Sequence, residues 1–294
     1  MTQAKKILLL GANGQVGWEL QRSLVTLGQI TPVDRDQCDL AQLDRVTGLL
    51  EEIKPEIVVN AAAYTAVDQA EQEPEAARQL NSALPACLAE YARASDALLV
   101  DYSTDYVFDG CKPAPYLESD TASAVNVYGQ SKQDGLSAII DSGCRHLVLR
   151  VSWVYSKRGK NFLNTMMRLA SEREALSVVA DQIGAPTSAD LIADVTAQAV
   201  RAILNDSAQG GVYNLVPDGV TSWHGFAVEI IRQAHNAGYQ LKLRAENIKP
   251  ITTAEYPTPA NRPTNSRLDT GKLKDTFYIN LPNWQTPLQR MISQ

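Results

Sequence analysis

Histidine and cysteine are scarce in this chain of 294 residues, with three of the first and four of the second. His146, His224 and His235 do not cluster, which argues against a histidine-built metal centre or a Ser-His-Asp triad, and so against many hydrolases. Cys38, Cys87, Cys111 and Cys144 are scattered without a Cys-x-x-Cys. Reduced thiols in a cytoplasmic protein are therefore expected, rather than disulfides or zinc. No apolar run approaches the ~18 residues of a membrane helix. The opening Met-Thr-Gln-Ala-Lys-Lys leads into a short buried-strand pattern instead of a signal peptide. Basic charge is short as well. Lys and Arg number 27 against 33 Asp and Glu, and a net charge of -6 gives no field for a phosphate backbone, so neither nucleic acid nor membrane is an expected partner. What remains, 45% hydrophobic and 20% charged, is the composition of an ordinary globular protein with a real core.

The first half alternates short β-rich runs with amphipathic stretches, the pattern of a parallel sheet covered by helices. Strands are predicted at 6–10, 30–33, 57–60, 98–102 and 146–151, and helices at 15–27, 43–53, 75–95 and 128–142. Strands this apolar on both faces belong inside a doubly wound sheet. Beyond Trp153 the rhythm loosens. Helices are predicted at 161–172, 189–204 and 222–237, strands at 176–179 and 211–215, and a proline-bearing loop at 256–263. The expected fold is α/β, a Rossmann-like doubly wound parallel sheet with a smaller, partly interleaved C-terminal substrate domain. Residues 1–152 form the dinucleotide-binding domain, with later returns near 173–187 and 211–237, and 153–294 form mainly the substrate domain.

The strand Leu8-Leu9-Leu10 runs into Gly11-Ala12-Asn13-Gly14-Gln15-Val16-Gly17 and then at once into a helix. Glycines here permit a tight turn and close approach of backbone to a pyrophosphate, and the helix N-terminus offers free N–H groups to the phosphates. The spacing is G-x-x-G-x-x-G, and its place between strand and helix makes dinucleotide binding the reading. Asp34, about twenty residues on, can bind a ribose 2′-OH of NAD, while adjacent Arg35 can meet the 2′-phosphate of NADP, so NADH and NADPH both stay open. Asp39, followed by Leu40, can accept from the adenine amino group or serve as a turn or cap residue. Ala61, Ala62 and Ala63, after the third strand, are small enough for the nicotinamide ribose to approach the backbone.

Tyr128 and Lys132 stand four residues apart, on one helix face. An ammonium beside a phenol favours the phenolate, and a phenol of ordinary pKa ~10 needs such help to act as an acid at neutral pH. Thr104 and Asp105 end the fourth strand, at the carboxyl edge where open parallel sheets bind ligands.

The glycine turn, the Ser103-Thr104 pair and Tyr128-x-x-x-Lys132, in this order, resemble the extended short-chain dehydrogenase/reductase family. A narrower resemblance, to the dTDP-4-dehydrorhamnose reductases, rests on longer stretches. They are Asn60-Ala-Ala-Ala-Tyr64-Thr65-Ala-Val67-Asp68-Gln-Ala-Glu71, Ser103-Thr-Asp-Tyr-Val-Phe-Asp-Gly110, Arg150-Val-Ser-Trp153-Val-Tyr155, Asp181-Gln-Ile-Gly184-Ala-Pro186-Thr187 and Arg262-Pro-Thr-Asn-Ser266-Arg-Leu268-Asp269. It runs from Gly11 to the helix near Trp284. The resemblance implies reduction of the C4 ketone of dTDP-4-dehydro-L-rhamnose by NADPH or NADH, giving dTDP-L-rhamnose for glycans such as lipopolysaccharide.

By that resemblance Tyr128 donates the proton, Thr104 hydrogen-bonds the same oxygen, and Lys132 lowers the tyrosine pKa and holds ribose hydroxyls. Thr65, Val67, Asp105 and Trp153 would meet the sugar, with Asn161 and Arg262 nearer the nucleotide end. Trp153 as a core tryptophan and Arg262 as a surface residue remain open. The face of the hydride stays open too. The resemblance also raises a homodimer with Mg2+ held between subunits by Glu19 and Asp190, against the reading of both as solvated helix carboxylates. The Asp105-Tyr106 pair lacks the Asp-Glu of the related 4,6-dehydratases, which disfavours water elimination. Two alternatives remain: another nucleotide-sugar reductase or epimerase, and a catalytically silent NAD(P)-binding regulatory subunit of the methionine adenosyltransferase type.

Overall fold

The computed structural model describes residues 4–293. The first three residues of the start expected to lack a signal peptide, and Gln294, lie outside the described residues. Six parallel strands form the main sheet: β1 (Lys5–Leu10), β2 (Gly28–Val33), β3 (Ile57–Asn60), β4 (Leu98–Thr104), β5 (His146–Val151) and β6 (Gly211–Asn214), in the order β6-β5-β4-β3-β1-β2. Alternation of side chains sends Ile7, Leu9, Ile57, Val59, Leu98 and Val100 to one core, and Leu8, Leu10, Val58 and Leu99 to another. Burial on both faces is why these strands read as continuous apolar runs.

Helices α1 (Gln15–Ser23), α2 (Leu43–Ile53), α3 (Leu84–Ser95) and α4 (Val127–Ser142) follow the first strands. The apolar stripes of α2, α3 and α4 cover the Leu8/Leu99 face, and α1 covers the other. After α5 (Phe162–Glu172) comes α6 (Ala189–Leu204), whose Ile192, Val195, Ala199 and Ile203 join α1 on the sheet; the last helices are α7 (Trp223–Asn236), α8 (Gly271–Phe277) and α9 (Gln285–Ser293). A separate core binds α5, α7 and α9 together.

The interleaving differs in detail from the division expected. Strand Leu176–Val179 pairs with Ile248–Ile251 in its own ribbon, and α7 packs in the separate core with α5 and α9, so neither reaches the main sheet. Within the two expected returns only Gly211–Asn214 does so, alongside β5. Conversely, α6 and α8 lie past residue 152 yet cover the sheet, because their apolar stripes complete its open face. The helix expected at 75–95 is also divided. A short α-helical segment, Pro74–Arg78, leads into a π-helical segment, Gln79–Ala83, before α3. There the buried Asn81 side chain accepts from Tyr64 N–H at 2.9 Å and donates to Tyr64 C=O at 3.0 Å and Ser131 Oγ at 3.0 Å. These bonds fix the loop after β3 against α4. Among the described residues no helix is long and apolar enough to cross a membrane.

Candidate active site

The strand order turns back at β1, which has β2 on one side and β3 on the other, and such a switch point opens a crevice at the strands' carboxyl ends. Gly11 sits in it at φ +76°, and a Cβ there would lie 2.7 Å from Ala62 N. A Cβ on Gly17 would lie 2.1 Å from Gly11 C=O, so α1 can press on the turn only as glycine. Gly14 caps α1 without a side-chain hydrogen bond, leaving the first-turn N–H groups free for an anion. From this point a cleft of about 1130 Å³ extends across β3 and β4 to the second lobe.

Most residues singled out from the sequence line that cleft. Asn13, Gln15 and Val16 lie at the glycine turn, Arg35, Asp39 and Leu40 beyond β2, and Ala61, Ala62 and Ala63 beyond β3. Asp34 does not line it: Asn13 Nδ2 and the N–H groups of Asp36 and Gln37 occupy its carboxylate. Asp39 accepts from Ala41 N–H at 3.2 Å and Gln42 Nε2 at 3.3 Å, the turn role held open above, while still facing the cleft.

At the centre, Thr104 ends β4. Its hydroxyl donates to Asp105 Oδ1 at 3.0 Å and accepts from Tyr106 N–H at 3.2 Å. Tyr128 stands in the first turn of α4, whose N-cap Asn126 accepts from Gly129 N–H at 2.7 Å and donates to Asn261 C=O at 2.7 Å. Burial raises the Tyr128 phenol well above its ordinary value; the Thr104 hydroxyl pulls it back, and Asp105 and Tyr106 push it higher. The positive end of α4 acts with Thr104 in favouring the phenolate. Lys132, one turn on, is buried, and its Nζ lies 3.7 Å from buried Asp101 Oδ1 on β4. The ammonium expected to serve Tyr128 thus shares its charge with a carboxylate that the sequence reading passed over. Asp101 in turn accepts from Asn60 Nδ2 at 2.6 Å.

Asp105 is buried, its Oδ2 lacks a partner, and burial pushes its carboxyl up to about 6 against the opposing pull of Ser266 and Thr104. Thr65 and Val67 face the cleft from the loop after β3. Trp153 is at once buried and cleft-lining. It follows β5 at φ +47° and stacks on Trp223 at 3.8 Å between ring centroids. Trp223 also lines the cleft, and no motif marked it. Asn161 caps α5 and donates to Gln15 Oε1 at 2.7 Å, which ties the second lobe to the glycine turn. Arg262 is no free surface residue. It pairs with Asp68 at 2.7 Å and donates to Tyr106 Oη at 3.2 Å, and the Tyr106 ring meets Tyr128 edge-on at 5.6 Å.

The proposed magnesium ligands stand apart from this centre. Glu19 lies 3.5 Å from Arg22, and Asp190 accepts from Ser188 Oγ and from Leu191 N–H at 2.8 Å, with Arg290 3.7 Å away. Among the described residues no group of three or more His, Cys, Asp or Glu could hold a metal ion, so the donor set within one chain does not fit Mg2+.

The family model described as the RmlD substrate binding domain matches residues 5–294. A dTDP-4-dehydrorhamnose reductase from Burkholderia thailandensis is 49% identical over 284 residues, covering 95% of each chain. The chain belongs to the dTDP-4-dehydrorhamnose reductase family. The Escherichia coli K12 member is 46% identical over 292 residues, covering 98% of this chain and 97% of its own. Among solved structures, the family's Bacillus anthracis member, in complex with NADP, superposes at a TM-score of 0.89 with 34% identity, covering 98% and 99% of the two chains.

Proposed function

We propose that the chain reduces the C4 ketone of dTDP-4-dehydro-L-rhamnose to dTDP-L-rhamnose, in the cytoplasm, with NADPH or NADH. The observation that carries this reading is one continuous cleft, which starts at an uncapped glycine-turn helix and ends at a hydroxyl pair, Thr104 and Tyr128. The residues fit the dinucleotide. The glycine turn leaves room for pyrophosphate, the α1 N–H groups are free to bind it, and Ala61 to Ala63 leave space at the nicotinamide end. When bound, the reduced dinucleotide supplies a hydride to the ketone carbon.

The chain's own residues handle the oxygen. Tyr128 Oη gives its proton to the oxygen as the carbonyl becomes an alkoxide, and Thr104 Oγ1 can turn from Asp105 to donate a second hydrogen bond to it. The resulting phenolate lies at the positive end of α4, with Lys132 one turn away. Trp153 and Trp223 wall the sugar end and exclude water from the reacting carbon. Thr65, Val67 and Asp105 line the sugar pocket, while Arg262 holds its shape through Asp68 and Tyr106. No step is routed through a metal.

The test is loss of NADPH absorbance with the dTDP-keto sugar generated in situ. Turnover should be clear in the wild type and fall about 100- to 10,000-fold in Tyr128→Phe, with cofactor affinity kept. A flat wild-type trace alongside tight cofactor binding would refute the reading and favour a silent subunit.

A further inference from the structure

Lys132 and Asp101 form an ion pair inside the protein, each side chain only 4% exposed. β3 and β4 pair in register with Asn60 opposite Asp101, and Asn60 Nδ2 holds the second carboxylate oxygen at 2.6 Å. The Asn60 side chain also accepts from Ala62 N–H at 3.3 Å, at the strand end that lines the cleft. Asn60, Asp101 and Lys132 therefore form a row from the cofactor side of the cleft to the helix that carries Tyr128.

A buried carboxylate left alone would neutralise itself, and burial does raise Asp101; the Lys132 ammonium and the Asn60 amide pull it back. Few other charges face this point. Tyr128 shares the helix, and Asp105 and Tyr106 follow β4. The π-helical segment offers only Gln79, Asn81 and Ser82, and α3 turns Leu84, Pro85, Leu88, Ala89 and Ala92 inward. A purely apolar floor would serve packing better, since an isolated buried pair seldom stabilises a fold beyond its hydrophobic replacement. The pair thus has a use other than packing.

We propose that Asp101 is a positioning residue for the reductase reaction: its carboxylate, held by Asn60, fixes the Lys132 ammonium in place beside Tyr128. This inference rests on the reductase reading of the site for its kinetic arm alone. Removing one negative charge makes a neighbouring phenol more acidic, Tyr128 included. The alkaline limb that Tyr128 gives the kcat profile must then move to lower pH.

Asp101→Asn is isosteric and removes the charge, though its amide nitrogen replaces one of the two acceptor oxygens; Asp101→Thr is a second neutral variant that brings no such amide. The first measurement follows the Lys132 side chain directly, by its 13Cε resonance in lysine-labelled protein at one neutral pH, assigned by its loss in Lys132→Met. In Asp101→Asn that resonance should shift and narrow as the ammonium is released from its fixed place. The second follows kcat against pH. The alkaline limb should move down in both neutral variants, with KM for the nucleotide sugar within about threefold of wild type. An unmoved Lys132 resonance overturns the inference whether or not the wild type turns over. Wild-type inactivity with a shifted Lys132 resonance would refute the reductase reading and leave the pairing intact. Loss of activity with an unmoved limb, or failure of both variants to fold, would make the pair structural and overturn the proposal.

Discussion

Replacing Asp105 by Asn should stabilise the protein while impairing it. In the folded chain the Asp105 carboxyl is raised from an ordinary 3.8 to about 6, with burial the largest cause. A folded-state pKa above the unfolded one favours folding when the group is protonated. That advantage is complete below pH 3.8 and is lost as pH rises through 6. At neutral pH the ionised carboxylate therefore costs the fold about 3 kcal/mol, from 2.2 pH units at 1.36 kcal/mol each. The structure shows where the cost lies: Oδ2 is buried with no partner, while Thr104 serves Oδ1. Asn keeps the Oδ1 acceptor, and its amide can donate to the Ser266 hydroxyl, although an imperfectly paired N–H returns part of the gain. A net stabilisation of about 1–2 kcal/mol is expected at pH 7.5, or roughly 2–6 °C in melting temperature. Thermal melts of wild type and Asp105→Asn at pH 7.5 and pH 5 test it, and the net gain should fall by about 1.4 kcal/mol at pH 5, to near zero. Activity should fall, because Asp105 lines the sugar pocket beside Thr104. A variant equal to or less stable than wild type at pH 7.5, or a gain undiminished at pH 5, would refute the reasoning.

Arg35→Ala should raise KM for NADPH about tenfold and leave KM for NADH within twofold, because Arg35 lines the cleft while the Asp34 carboxylate is occupied by the turn. Equal effects on both cofactors in steady-state assays would remove Arg35 from the 2′-phosphate site. Trp223→Ala unstacks Trp153 and should raise KM for the nucleotide sugar about tenfold with NADPH affinity unchanged, checked by kinetics and cofactor titration. Asp68→Asn loosens Arg262 and should lower kcat severalfold, and a normal kcat would show that the Arg262–Tyr106 contact does not reach Tyr128.

The sheet was legible from the sequence because its strands are apolar on both faces and short, and the glycine turn because only glycine tolerates the 2.1 Å approach at residue 17. The division into lobes was less so. Nothing in the periodicity of 189–204 says which core its stripe will cover, since one amphipathic helix suits either. The π-helical break at 79–83 was hidden for a related reason: Asn81 reads as an unremarkable polar residue until Tyr64 arrives to use it. Trp223 carried no signal, and Asp68 stood in a family stretch without a role, because each acts through a partner distant in the chain, Trp153 and Arg262.

The same limit bears on Tyr128 and Lys132, whose spacing places two side chains on one helix face but says nothing of the charge opposite. In the fold, Lys132 faces Asp101 at 3.7 Å, and among the groups that set the Tyr128 acidity Thr104 is the one that lowers it. A Tyr-x-x-x-Lys pair with an apolar residue at position 101 would deliver a full positive charge toward the phenol. With aspartate there, part of that field is cancelled, and proton donation depends more on Thr104 and on the α4 N-terminus that Asn126 caps. Thr104→Val should therefore cost this chain about 10- to 100-fold in kcat, more than a reductase whose lysine lacks a buried counterion would lose. The comparison is direct, because adding Thr104→Val to Asp101→Asn should give a smaller proportional loss than adding it to wild type. Equal losses in both backgrounds would mean that Thr104 and Lys132 act on Tyr128 independently.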